Sequence, residues 1–107
     1  AEALHLSRAA GVDPARVRLA LAGGSAGSRV LEVMGGRMVE RDFTAGVEAR
    51  LHHKDYAVVL GEAHRLGLPM PVSAQVCQQL NALIAMGWGS ADTAALLQVL
   101  ETGGRTT

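Results

Sequence analysis

The chain has 107 residues, 49% of them apolar but only 3% aromatic, so a single-domain core must be built from Leu, Val, Ala and Met. Ten basic residues balance ten acidic ones, a charge balance that argues against a nucleic-acid backbone or an anionic membrane surface as partner. The single Cys77 excludes an internal disulfide framework, and no apolar run reaches the roughly 20 residues of a bilayer span, so a soluble, cytoplasmic chain is expected.

Glycine and proline divide the chain into about six predicted helices. Ala1 to Ala10 reads as a helix stopped by Gly11, and it begins without a residue suited to cap it. That start implies a longer protein entered part-way along a helix. Asp13 offers an N-cap carboxylate and Pro14 suits the first helical position, opening a second helix with Val17, Leu19 and Leu21 that breaks at Gly23-Gly24. Ser25 is the expected cap of a third helix, with Val30, Leu31 and Met34, closed by Gly35-Gly36. Residues 36–46 then read as a loop anchored by a buried Phe43.

The fourth helix is the longest, from about Val47 to Leu66, with Gly67 as terminator. Leu68-Pro-Met-Pro71 forces an extended connection, because a residue before proline avoids the α region. Val76, Leu80, Leu83 and Ile84 fall at helical spacing in a fifth helix, Val72 to Met86, which Gly87-Trp88-Gly89 ends. Ser90 is the expected cap of a last helix, Ala91 to Leu100, with Asp92 in its first turn, and the tail from Glu101 reads as loose. Nothing alternates with period two for long, so the expected class is all-α, one compact bundle of about six helices over residues 1–107.

Chemistry-bearing residues crowd the stretch RLHHKDYAVVLGEAHRLG, residues 50–67. At about 100° per residue, Tyr56, Val59, Leu60, Ala63 and Leu66 form a core-facing stripe, with His52 at its start. Lys54 points away from that stripe, and Val58, Gly61 and Arg65 lie within about 40° of it. An interior glycine costs a helix about 1 kcal/mol relative to alanine, so Gly61 suggests a surface that something approaches closely. His53 and His64 share a direction but lie roughly 16 Å apart along the axis, so they cannot hold one metal ion. Asp55 and Glu62 are about 10 Å apart, too far to share a proton. Residue chemistry alone leaves Lys54-Asp55 open between a solvated charge pair and part of a site.

Two other features read as structural. Gly23-Gly-Ser-Ala-Gly-Ser28 resembles a phosphate-cradling turn, but no strand precedes it and no lysine follows at the required spacing. Cys77 has no histidine partner at hand and reads as a buried, inert thiol.

In order, AEALHLSRAAGVDP, LAGGSAGSRVLE, GGRMVERDF, the Lys54-Asp55 helix, LGLPMPVSA and GWGSADTAALLQVLE resemble the C-terminal all-α domain of the β-hydroxyacid dehydrogenase family. That family includes 3-hydroxyisobutyrate dehydrogenases and tartronate semialdehyde (2-hydroxy-3-oxopropionate) reductases. The likeness covers nearly the whole chain and implies the fold of the 6-phosphogluconate dehydrogenase C-terminal domain. It further implies an N-terminal Rossmann domain that binds most of an NAD or NADP cofactor, and a small hydroxy acid or semialdehyde as substrate. Assembly into a homodimer or higher oligomer is implied too, and an apolar content of 49% on so small a domain points the same way.

Neither the Rossmann domain nor the family's catalytic lysine lies within these 107 residues, so no catalytic residue is expected here. Lys54 matches the family's lysine that reaches toward the cofactor, and Asp55 the acidic residue near the substrate pocket. The rest of the KDLGxAxD-like segment is altered, with Tyr56 for Leu, Val59 for Ala and Gly61 for Asp. Where members often carry Pro-Gly-Phe, this chain has Ala45-Gly46-Val47, which puts Val47 at the substrate wall. Two alternatives stand beside this reading: a non-enzymatic oligomerisation or recognition module, and an imine or ketone reductase of the same superfamily.

Overall fold

Helix starts and stops account for most of the architecture. A computed structural model describes residues 1–103, and these form six α-helices: α1 (Glu2–Ala9), α2 (Pro14–Ala22), α3 (Arg29–Glu40), α4 (Ala49–Leu66), α5 (Pro71–Ala85) and α6 (Leu96–Gly103). A 3-10 turn, Thr93–Ala95, precedes α6. Among the described residues there is no strand, only an isolated antiparallel bridge between Glu48 and Asp92. The all-α expectation is met. No helix among the described residues is long and apolar enough to cross a membrane.

The local signals work as expected in several places. Asp13 accepts from the Ala15 N–H at 2.9 Å with Pro14 at the first helical position, and Gly11 (φ 78°) and Gly67 (φ 68°) adopt the left-handed backbone past α1 and α4. Gly87 (φ 84°) follows the end of α5, whose first residue is Pro71 and not the expected Val72.

Three expectations about helix ends fail. The cap of α3 is Ser28, whose hydroxyl accepts from the Leu31 N–H at 3.0 Å, and not Ser25. Gly35-Gly36 does not end α3, which runs on to Glu40, so residues 36–40 are helix and not loop. The reason is tertiary: a Cβ on buried Gly35 would sit 3.3 Å from Arg18 Cδ and 3.3 Å from Leu31 Cδ1. The glycine admits the aliphatic stem of Arg18 from α2, and Arg41 (φ 56°) takes the left-handed cap position instead. Third, the last helix starts at Leu96 and not Ala91, and it includes Glu101 to Gly103 of the supposed tail. The remaining four tail residues lie outside the described residues.

The described residues fall into two units. The first comprises residues 1–43 and the C-terminal segment from Ala94; in it α1 packs on α2, α3 and α6. Its core is Leu4, Met38, Ala94 and Leu97, with Val17, Met34, Val39 and Phe43 against it. Phe43, expected as a buried anchor, packs against this core but is only half-buried, and the Arg41 guanidinium lies 5.5 Å from its ring centroid. Arg41 also donates two hydrogen bonds of 2.9 Å to Glu101, tying the end of α3 to α6, with Arg8 3.6 Å from the same carboxylate.

The Arg41 hydrogen bond, against some opposition from burial and with added charge from Arg41, Arg8 and His5, holds the Glu101 carboxyl below its usual range. A depressed folded-state pKa contributes stability above the unfolded value of about 4.3, and that contribution fades as pH falls through the folded value. Solvent around Arg41 keeps it to about 1 kcal/mol or less. Unfolding titrations should therefore show Glu101→Gln less stable than the unmodified chain at neutral pH, with the gap closing below pH of about 4.

The second unit, Thr44–Thr93, is built on α4 packed against α5. Ala49, Ala63, Leu80 and Leu83 are its buried apolar residues. Val76 and Ile84 are half-buried beside Leu80 and Leu83 on α5, as their spacing predicts, but Cys77 is half-buried rather than enclosed.

Candidate functional site

The α4 stripe that faces inward is Ala49, His52, His53, Tyr56, Leu60 and Ala63, repeating at three and four residues. This is narrower than the predicted arc. Val59 is 44% exposed and Leu66 53%, so neither joins it. Both N-terminal histidines belong to the packed side and have separate partners. His52 Nδ1 is hydrogen-bonded to Thr93 Oγ1, and His53 Nε2–H donates to Asn81 Oδ1 at 2.6 Å. Among the described residues no group of three or more His, Cys, Asp or Glu side chains is arranged to hold a metal ion.

Lys54 points away from the packed side of α4, as the wheel predicts, and Asp55 is exposed beside it. Lys54 Nζ is 3.1 Å from Asp55 Oδ1, with the two side chains 67% and 59% exposed. Val58, Gly61 and Arg65 are exposed along the same side, and Arg65 is bound to Glu62. Apart from its chain neighbours and the surrounding backbone of α4, nothing lies within 4 Å of where a Cβ on Gly61 would stand. The packing of the chain itself therefore does not require glycine there. Gly61→Ala should raise the melting temperature of the chain, by a stabilisation of up to about 1 kcal/mol; a loss of stability in thermal unfolding would show that Gly61 is needed internally.

Val47 is 39% exposed in the loop that leads into α4. The residue that places this loop went unrecognised in the sequence. Asp92, expected in the first turn of the last helix, is instead fully buried, and its Oδ2 accepts from the Gly46 N–H at 3.0 Å and the Val47 N–H at 3.2 Å. Backbone bonds run alongside: Thr93 N–H to Val47 O at 3.3 Å, Ala49 N–H to Ala91 O at 2.8 Å, and Arg50 N–H to Gly89 O at 2.9 Å. Ser90-Ala-Asp-Thr93 before an apolar run looks like a helix start, and nothing local shows that the carboxylate turns to a loop 45 residues earlier. The bridge at Glu48 and the bonds to Gly46, Val47 and Ala49 supply the N-terminal anchoring of α4, whose first residues have no side-chain cap.

This is an exposed cation–carboxylate pair on a helix anchored at its start, with open space beside a glycine: a surface suited to help form a site and not a closed pocket. The chain belongs to the family described as NAD-binding of NADP-dependent 3-hydroxyisobutyrate dehydrogenase, whose model it matches over residues 1–100. It is 48% identical over 101 residues to a 2-hydroxy-3-oxopropionate reductase of Escherichia coli (strain K12), covering 94% of this chain and 34% of that protein. It is 36% identical over 100 residues to a probable mitochondrial 3-hydroxyisobutyrate dehydrogenase-like protein of Arabidopsis thaliana, covering 94% and 30%. Its fold matches that of a 3-hydroxyisobutyrate dehydrogenase crystal structure from Salmonella typhimurium with a TM-score of 0.88 at 21% identity, over 92% of this chain and 34% of that one. The chain thus spans about a third of the length of these relatives, and its family is one of oxidoreductases.

Proposed function

We propose that this chain is the C-terminal part of an NAD(P)-dependent β-hydroxyacid dehydrogenase, acting on 2-hydroxy-3-oxopropionate or 3-hydroxyisobutyrate, and that it forms one wall of the cleft against an N-terminal Rossmann domain. The observation that carries this is the 48% identity to a 2-hydroxy-3-oxopropionate reductase across nearly all of the chain. The exposed Lys54 ammonium, on the same side of α4 as the side-chain-free Gly61, fits a role against polar groups of a cofactor held mainly by the other domain. In that role the nicotinamide group supplies or takes up the hydride. Asp55 orients the hydroxy acid or an ordered water, and Val47 lines the substrate side, where a residue smaller than Phe leaves more room. Val58, Val59 and Leu66, apolar and exposed, support burial of this side by the Rossmann domain or a second subunit in a homodimer or larger assembly. One half-buried cysteine fits a reducing cytoplasmic compartment.

The test supplies NADPH or NADH with tartronate semialdehyde, and NAD or NADP with 3-hydroxyisobutyrate, to the 107-residue chain and to the full-length protein. Turnover is expected from the full-length protein alone. Turnover by the chain alone would overturn the division of labour, and none from the full-length protein would favour a non-enzymatic module, the reading to which the changes at Val47 and Gly61 lend support.

A further inference from the structure

We infer that Asp92 is a positioning residue for the substrate side of the cleft, acting through the backbone of Gly46 and Val47. This inference rests on the functional reading above. Asp92 has no accessible surface, so it does not itself touch substrate. One of its oxygens accepts two successive backbone N–H groups, Gly46 and Val47. A carboxylate oxygen that accepts from backbone donors makes bonds roughly twice as strong as neutral ones, and a buried carboxylate is stable only with such partners.

The clamp fixes more than one point. The bonds from Thr93 N–H to Val47 O and from Ala49 N–H to Ala91 O hold both sides of Glu48, and His52 on the first turn of α4 meets Thr93 Oγ1. Residues 91–93 thereby set where Val47 stands and where α4 begins. Ala45 and Gly46, both exposed, give the loop little side-chain packing of its own to keep Val47 in place. Misplacing a substrate-side residue by about 1 Å can cost about 100-fold in rate, which is the size of effect such a clamp can exert at a distance.

The experiment compares Asp92→Ala and Asp92→Asn in the full-length protein by amide hydrogen exchange and steady-state kinetics. In Asp92→Ala, exchange at Gly46 and Val47 should accelerate about tenfold or more, while amides around Leu80 and Leu83 stay protected. Its kcat/KM for the hydroxy acid should fall about 100-fold, mainly through kcat, with coenzyme affinity within about twofold of the unmodified protein. Asp92→Asn keeps an oxygen acceptor and should recover to within about tenfold of the unmodified protein. Uniform loss of protection across residues 44–93 would make Asp92 a plain stability residue and overturn the inference. Selective loss of protection at Gly46 and Val47 with unchanged kcat/KM would overturn it as well. If the unmodified full-length protein turns over none of these substrates, the functional reading falls, and the exchange pattern alone decides whether Asp92 positions the loop.

Discussion

In the full-length protein, Asp55→Ala should lower kcat/KM for the hydroxy acid about 100-fold, and Lys54→Ala should raise the coenzyme KM about tenfold, both without unfolding the protein. The second half of the expectation follows from the surroundings of the pair. Lys54 and Asp55 are adjacent, mostly solvated, and 3.1 Å apart. An exposed pair of this kind contributes about 0–1 kcal/mol to stability, and surface substitutions away from special features usually stay within about 0.5 kcal/mol. Any large kinetic effect would then report on the cleft and not on folding. The two variants also separate the two roles, because a residue that contacts the hydroxy acid should leave coenzyme affinity near its original value. Kinetics indistinguishable from the unmodified protein for both variants, with melting temperatures unchanged, would remove the pair from the site.

Leu83→Ala should destabilise the Thr44–Thr93 unit by about 2–5 kcal/mol, the range for emptying a fully buried leucine position. Leu83 and Leu80 are 0% exposed on α5, the helix against which α4 packs. The unit has few other buried apolar side chains: Ala49 and Ala63 add little volume, and much of the remaining interior is the polar pair Asp92 and Thr93. A core with so few large members has little means of closing around a cavity, which favours the upper part of that range. Val72→Ala on the same helix, at a position 75% exposed, should change stability by less than about 0.5 kcal/mol and serves as the control. Urea unfolding followed by helix content checks both. A loss below about 1 kcal/mol for Leu83→Ala would mean that α4 and α5 are not held by this contact.

The sequence by itself determined what depends on neighbouring residues. Asp13-Pro14, Gly11 and Gly67 set helix ends through capping bonds and backbone freedom, and each acts where it is expected. The outward direction of Lys54 on α4 follows from 3.6 residues per turn, and the family motifs are legible as an ordered set along the chain. Only the tertiary structure decided the rest. Gly35 looked like a stop because a glycine has no Cβ, but that same absence lets Arg18 pack across a continuing helix. Val59 and Leu66 looked like core because they are apolar, yet the stripe covered on α4 is narrower than its apolar arc. Asp92 looked like a first-turn carboxylate of the last helix, because an acidic residue just after a Ser cap complements the helix dipole. Its partners are the N–H groups of Gly46 and Val47, and no local pattern announces a hydrogen bond whose two ends are brought together only when the chain folds.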